Sequence, residues 1–295
     1  EILRNIQEKD SYKIQTLSLQ DQWKGKFSHK QKAYNIDIGF DTDTKKVILR
    51  KWKLEMTMGI PQKSPFTTIK MLDGQLISSD EKSDIVTQSI DGGVRQMINI
   101  YSSDAEKIYD FSLTLPDWYT LTQDGSGNIV VKNLSGNILS YIGRPWAKDA
   151  NGNEIPTHYE IQWNTLRQFI DFDGKTAFPI VADPAWCGAS IASTNWINRW
   201  WTHPWSLSIT PTACWRLTIW WAGGLNVNYS WEELLVLTPS SIHWNKAIGT
   251  QVFESMYYQY ACHANFVPFK SNWNLEPTRP NVGYTATISA WCNPN

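Results

Sequence analysis

Tyr34-Asn35-Ile36-Asp37-Ile38-Gly39-Phe40 alternates apolar and polar side chains along its whole length. Period-two alternation sends successive side chains to opposite faces of an extended chain, which is the pattern of a half-buried strand. Asp41 to Thr44 follows as a turn sequence, and Val47 to Met58 reads as the strand returning beside the first, so a hairpin is expected. Outward from this hairpin, strands are expected at Ile69–Ile77, Val94–Tyr101, Ile108–Leu115, Ile129–Lys132, Ile138–Ile142, His158–Trp163 and Leu166–Phe172. Asp91-Gly92-Gly93, Asp124-Gly125, Ser135-Gly136-Asn137 and Asn151-Gly152-Asn153 punctuate them, because Gly and Asn tolerate the positive φ of tight turns. Many short strands at regular spacing predict an antiparallel, β-sandwich-like domain over residues 33–183. Residues 1–32 are polar, rich in lysine and without clean periodicity, and read as an N-terminal arm or leader remnant.

Composition changes sharply near Pro184. Of 17 tryptophans, five precede it (Trp23, Trp52, Trp118, Trp146, Trp163) and twelve follow it. Of the 55 charged side chains, 27 basic and 28 acidic, only nine lie in the last 112 residues. All four cysteines (Cys187, Cys214, Cys262, Cys292) fall there too. Three independent shifts at one place mark a second domain, residues 184–295. Spacings of 27, 48 and 30 residues contain no close CxxC pair, so disulfides are expected rather than a zinc site. The shorter loops favour Cys187–Cys214 and Cys262–Cys292. Disulfides in a low-charge module point to an oxidising, extracellular compartment. A first residue of Glu rather than Met fits a secreted chain whose leader has been removed.

The second domain is expected to be a small α+β fold. Ser206–Thr210 and Arg216–Trp221 read as strands. Ser230-Trp231-Glu232-Glu233 has the spacing of a capping box before Leu234, Leu235 and Leu237. Val252, Phe253, Met256, Tyr257 and Tyr260 recur at helical spacing, which predicts a helix over residues 247–263.

A net charge of −1 and no basic patch exclude a nucleic-acid reader. No apolar run approaches the roughly 18 residues of a membrane span. GxSxG and GxxxxGK[ST] sequences are absent, and no cofactor motif stands in their place. His203, His243 and His263 are 40 and 20 residues apart, which matches no metal-ligand pattern, so they read as structural. Glu232 and Glu233 are adjacent and cannot face each other across one glycosidic bond. Pairing of either with Glu254 or Glu276 in space is left open by the sequence.

Two stretches resemble known families. The first runs from Pro145-Trp146-Ala147-Lys148-Asp149-Ala150-Asn151-Gly152 through Pro156-Thr157-His158-Tyr159 to Pro179-Ile180-Val181-Ala182-Asp183-Pro184. It resembles a region of secreted Gram-positive proteins that ends a β-rich part and precedes modules often of toxin or bacteriocin type. The second is carried by Pro211-Thr212-Ala213-Cys214, Ala261-Cys262-His263, Asn274-Leu275-Glu276-Pro277, Arg279-Pro280, Val282-Gly283-Tyr284 and Cys292-Asn293-Pro294. It resembles a small secreted domain family of unknown function. The resemblances imply secretion, a Gram-positive source and a disulfide-bonded C-terminal domain, and they bring no catalytic residue. Trp215 departs from the second family's pattern, which has Gly after the Cys of Pro-Thr-Ala-Cys.

The tryptophans carry the functional expectation. Indole joins a large apolar body to one N–H donor and suits lipid interfaces and sugar faces alike. Trp200, Trp201, Trp205, Trp215, Trp220 and Trp221 are the expected binding residues, because twelve indoles exceed what one small core holds with every N–H satisfied. The expected function is a secreted, bacteriocin-like or membrane-active toxin, without enzymatic activity, that engages lipid, receptor or glycan of a bacterial cell envelope. The alternatives are a cell-wall or glycan-binding protein and, third, a carbohydrate-active enzyme. Asp183 and Pro184, at the composition boundary, form a candidate processing site.

Overall fold

The computed structural model describes residues 26–31, 36–61, 68–72, 74–199, 203–222, 227–238, 242–244 and 246–295. The chain divides into two compact units, Glu1–Gly188 and Ala189–Asn295. It is mainly β with antiparallel sheets, and its smaller C-terminal unit is disulfide-bonded and holds a cluster of tryptophans.

In the first unit β1 (Lys26–Gln31), β2 (Ile36–Asp41), β3 (Lys46–Lys51) and β4 (Leu54–Gly59) form a meander. A second meander follows in β5 (Thr68–Leu72), β6 (Gln75–Ser79), β7 (Ser83–Ile90) and β8 (Gly93–Ile100). β9 (Ile108–Thr114) returns to the first sheet, and β10 (Tyr119–Gln123), β11 (Ile129–Asn133) and β12 (Ile138–Ile142) cross to the second. The remaining strands are β13 (Trp146–Lys148), β14 (Thr157–Gln162), β15 (Thr165–Ile170), β16 (Ile180–Asp183) and β17 (Ala185–Cys187). The sheets are ordered β1-β2-β3-β4-β9-β15-β14 and β10-β11-β12-β17-β8-β7-β6-β5, with β16 pairing β8 and β13.

Alternation buries one side of the first sheet: Ile36, Ile38 and Phe40 on β2, Val47 and Leu49 on β3, Met56 and Met58 on β4. The two sheets meet where Met56 Sδ accepts from Ser140 Oγ at 3.3 Å, and Ser140 Oγ accepts from Trp186 Nε1 at 3.0 Å. A Cβ at Gly188 would lie 3.0 Å from Ile36 Cδ1 and 3.1 Å from Leu49 Cδ2, so a residue without a side chain fills that place. Every residue of β8 is buried. Its Arg95 pairs with Asp183 of β16, Nε to Oδ2, at 2.6 Å.

Several sequence expectations change here. The expected arm ends in a strand: residues 26–31 pair with β2, and buried Gln31 donates to Ile90 O at 2.7 Å while accepting from Gly92 N at 2.8 Å. Residues 1–25 lie outside the described residues, as do Tyr34 and Asn35. Val47–Met58 is two strands, because the chain reverses at Trp52-Lys53 between the paired Lys51 and Leu54. Ile69–Ile77 is likewise the hairpin β5–β6. β17 pairs with β8 and β12, so the first unit runs to Gly188 rather than ending at Asp183.

Among the described residues, four turns hold a tryptophan at positive φ: Trp52 at 55°, Trp118 at 68°, Trp163 at 56° and Trp291 at 54°. Left-handed backbone suits Gly and Asn and is uncommon for a bulky side chain. No Gly or Asn stands at Trp52 to announce the turn, which is why the sequence reads as one continuous strand there.

The second unit has a small sheet, β18 (Ile191–Asn198), β19 (Trp205–Pro211) and β20 (Trp273–Leu275), in that order. Its helices are α1 (Ala213–Ala222), α2 (Asn228–Leu237), α3 (Gln251–Phe266) and α4 (Tyr284–Ser289). Arg216–Trp221, expected as a strand, is helical. Thr212 caps that helix by accepting from Trp215 N at 3.1 Å. The capping box at Ser230 does not form, because α2 starts earlier, at Asn228. Ser230 Oγ donates back to Val227 O at 3.1 Å, and Glu233 Oε2 accepts from Ser190 N at 2.7 Å. The expected helix over 247–263 is α3, whose N-terminus is capped by Thr250 accepting from Phe253 N.

Aromatic rings fill this unit's core. Trp231 lies 5.4–5.6 Å, centroid to centroid, from Trp244, Phe253, Tyr257 and Tyr260. Tyr260 meets Trp273 edge-on at 5.4 Å. Cys262 on α3 bonds to Cys292, 30 residues on. Cys187 and Cys214 are also disulfide-bonded.

Candidate functional site

Much of the tryptophan excess goes into the two cores. Trp186, Trp215, Trp231, Trp244 and Trp273 are buried. Trp215, expected on a binding surface, is fully enclosed in the first turns of α1, which corrects that expectation. Indoles tile against tyrosines and one another, so a small core holds more of them than their number suggests. Trp200 and Trp201 lie outside the described residues, and of Trp220 and Trp221 only their place on α1 is described.

Trp205 remains partly open. It begins β19 opposite Asn198, and the ring of His243 stacks on its indole at 3.7 Å with planes 26° apart. Trp196, two residues before Asn198 on the same strand face, lies 5.4 Å from His243. Beside this aromatic shelf stands Ile242, which is 97% exposed. Lys246 Nζ donates to Leu235 O at 2.6 Å and thereby folds the segment after His243 onto the end of α2. That end presents Val236, 74% exposed, and Leu237; Ile248 is also exposed. Burial lowers the pKa of Lys246. The sequence carried a signal for this surface. Leu234-Leu235-Val236-Leu237 fills a whole helical turn with apolar side chains, and a helix at 3.6 residues per turn cannot bury all four against one core.

The carboxylates that sequence left open find separate structural partners. Glu276, buried, accepts from Arg279 Nε at 2.6 Å and from Ser206 Oγ at 3.2 Å. Gln259 of α3 clamps the Glu276 backbone on both sides, its Oε1 accepting at 2.9 Å and its Nε2 donating at 3.1 Å. Glu254 accepts from Asn281, and Glu233 from Ser190. Glu232 is exposed. Glu276, Glu254 and Glu233 thus serve different local contacts, and none of these contacts joins two of the carboxylates.

The histidines are equally dispersed. His203 Nδ1 lies 2.8 Å from Thr278 Oγ1, and burial, then the charge of Arg279, lowers its pKa. His263 is buried 6.2 Å from Trp273 with the rings nearly parallel, and burial pushes it down to about 4. No group of three metal-ligating side chains occurs among the described residues. An open depression of about 670 Å³ beside α4 is lined by Val282, Gly283, Tyr284, Ala286, Ser289 and Ala290, without a charged group.

Asp183 and Pro184 are buried in the sheet of the first unit. Asp183 is paired with Arg95, and Pro184 O accepts from Gln96 N at 3.0 Å. A protease would have to strip β16 from the sheet to reach them.

Residues 191–295 match the family described as protein of unknown function (DUF2599). The match covers β18 to the end of the chain and includes the Glu276–Arg279 network and the Cys262–Cys292 bridge. Uncharacterized proteins of Mycobacterium bovis and Mycobacterium tuberculosis are 30% identical over 105 residues, covering 34% of this chain. That stretch spans 63% of the length of each of these relatives. A glycoside hydrolase family 81 protein from Clostridium thermocellum overlays 68% of this chain and 30% of its own. With 9% identity and a TM-score of 0.24, that likeness carries no argument about fold or activity. No described helix is long and apolar enough to cross a membrane.

Proposed function

We propose that this chain is a secreted, non-catalytic protein that engages an apolar component of a bacterial cell envelope through its C-terminal unit, in the manner of a bacteriocin-like toxin. The observation carrying this reading is the position of Ile242. It stands almost wholly bare next to the His243–Trp205 stack, with Val236 and Leu237 exposed on the helix end nearby. Bare aliphatic side chains grouped beside half-open indoles, in a region with few charges, mark an interaction surface. Disulfides on all four cysteines suit the oxidising exterior where such a protein works.

The experiment is growth inhibition of bacteria by the full-length chain, beside the double variant Ile242→Ser/Val236→Ser. Inhibition by the native chain and a loss of about tenfold or more in the variant, with unchanged thermal unfolding, is the expected result. Inhibition untouched by the variant, or none by the native chain, rejects the reading. Saturable binding to purified peptidoglycan by both proteins would replace it with glycan recognition.

A further inference from the structure

We infer that one end of the first unit is a docking surface for a lipid bilayer of neutral headgroups, with Trp52, Trp118, Leu134 and Trp163 as its inserting side chains. This assigns a site to the first unit and does not depend on the reading of the second.

The four residues belong to four separate turns, and the strand registers bring those turns together. Trp52 is at the β3–β4 turn and Trp163 at the β14–β15 turn, between the paired Gln162 and Thr165. Between these strands runs β9, whose last residues pair with β4 at Thr57–Thr114. Leu113 N donates to Asn164 O at 2.6 Å, so the β14–β15 turn lies against the same end of β9. Trp118 lies four residues beyond the end of β9. Beyond the pair Tyr119–Asn133, Trp118 and Leu134 are neighbours at the same end of the second sheet. Lys51 Nζ donates to Leu139 O at 3.5 Å and ties the β3–β4 turn to the start of β12. The β14–β15 turn is level with Thr57, about three residues short of the β3–β4 turn, and with strands about 4.8 Å apart Trp52 and Trp163 are separated by on the order of 20 Å.

These side chains are held outward. Trp52 is 60% exposed, Trp118 77%, Leu134 81% and Trp163 97%. All three tryptophans occupy positions where the turn geometry favours glycine. Trp52 and Trp163 are the first of two loop residues and alone in their loops have positive φ. Trp118 is third in the turn closed by Tyr119 N donating to Pro116 O at 3.1 Å, again with positive φ. Leu134 is presented by a turn built on Asn133, whose Oδ1 accepts from Ser135 N at 3.1 Å and Asn137 N at 2.8 Å. Strained backbone persists where the side chain it carries has work to do.

The chemistry selects the occupant. Four protruding tips on separate turns do not enclose a small ligand, whereas they can all touch one broad, yielding surface. Indole partitions to the boundary of headgroup and acyl chain, and Leu134 offers a sugar neither a ring face nor a hydrogen bond. The adjacent charges are Lys53 and Asp117, of opposite sign, while Lys51 is turned back, its Nζ 5.1 Å from the Trp52 ring and donating to Leu139. An electrically balanced tip suits a zwitterionic surface rather than an anionic one.

The test is co-sedimentation of the full-length chain with phosphatidylcholine vesicles, with the triple variant Trp52→Asn/Trp118→Asn/Trp163→Asn and with Leu134→Ser. Asn accepts positive φ, so the turns are kept while the rings are removed. The native chain is expected to bind equally at low and high salt, and the triple variant to bind at least about tenfold less without loss of thermal stability. Leu134→Ser should weaken binding by a smaller factor. No binding by the native chain, undiminished binding by the triple variant, or binding only to anionic vesicles overturns the inference. Loss of binding confined to Ile242→Ser/Val236→Ser would also overturn it, while leaving the reading of the C-terminal unit standing.

Discussion

Arg279 donates from Nε to Glu276 Oε2 at 2.6 Å, and its Nη1 donates to the carbonyls of Asn293 at 3.0 Å and Pro294 at 2.8 Å. One guanidinium therefore neutralises a buried carboxylate and pins the chain immediately after the Cys262–Cys292 bridge. Arg279→Met keeps the length of the side chain but strands Glu276, which is only 4% exposed. Breaking a buried pair from one side costs about 3–5 kcal/mol. Chemical denaturation of the full-length chain should show a loss of that order, partly recovered by adding Glu276→Gln. A loss below about 1 kcal/mol would mean that the pair is not what organises this corner.

The same stretch shows what sequence can and cannot disclose. Asn274-Leu275-Glu276-Pro277 and Arg279-Pro280 stood out by resemblance alone, and only coordinates show that Glu276 and Arg279 meet each other rather than a substrate. Strand β2 is legible because Ile36, Ile38 and Phe40, all buried, alternate with Asp37 and Gly39. Turns that use Trp in place of Gly are not, since residue identity is the signal on which turn reading depends. Helix α1 reads as a strand in sequence because Trp220 and Trp221 favour strand by propensity, whereas Thr212 caps a helix there. Trp52, Trp118 and Trp163 are isolated in the sequence, so composition, which concentrates indoles after Pro184, does not single them out.

His263 makes the stability of the C-terminal unit depend on acid. Its folded-state pKa is pushed down to about 4, from an ordinary value of 6.5. Above pH 6.5 neither the folded nor the unfolded chain binds the proton, and this residue adds no slope. Between about 6.5 and 4 the unfolded chain binds it and the folded one does not. Stability should therefore fall on acidification by up to about 1.4 kcal/mol per pH unit, and the slope from this residue ends below pH 4. Urea unfolding across that range, compared with His263→Gln, checks it: the variant should lose that part of the slope. Identical slopes would show that His263 is protonated in the folded state as readily as in the unfolded one.

The β14–β15 turn should gain from a change that looks disruptive. Trp163 is 97% exposed at φ 56°, so its ring contributes little packing while its backbone sits in a region that bulky residues avoid. Left-handed backbone costs an L-residue roughly 1–2 kcal/mol, and glycine's extra freedom when unfolded takes back about 0.4–1 kcal/mol. Trp163→Gly should accordingly be neutral or stabilising by up to about 1 kcal/mol, whereas Trp163→Ala should not gain. Thermal unfolding of the two variants decides it. A drop of several degrees for Trp163→Gly would mean that the indole is held by contacts that stabilise the fold.

Burial at Asp183 and Pro184 bears on maturation. Cleavage there requires β16 to leave both β8 and β13, together with loss of the Arg95–Asp183 pair, so the bond opens only with much of the unit. Limited digestion of the native chain with a nonspecific protease should therefore yield no fragment ending at Asp183, as read by mass spectrometry. In denaturant that cut should become accessible along with the rest of the first unit. A native digest that opens first between β16 and β17 would show this part of the sheet to be detachable, and would restore a release mechanism for the C-terminal unit.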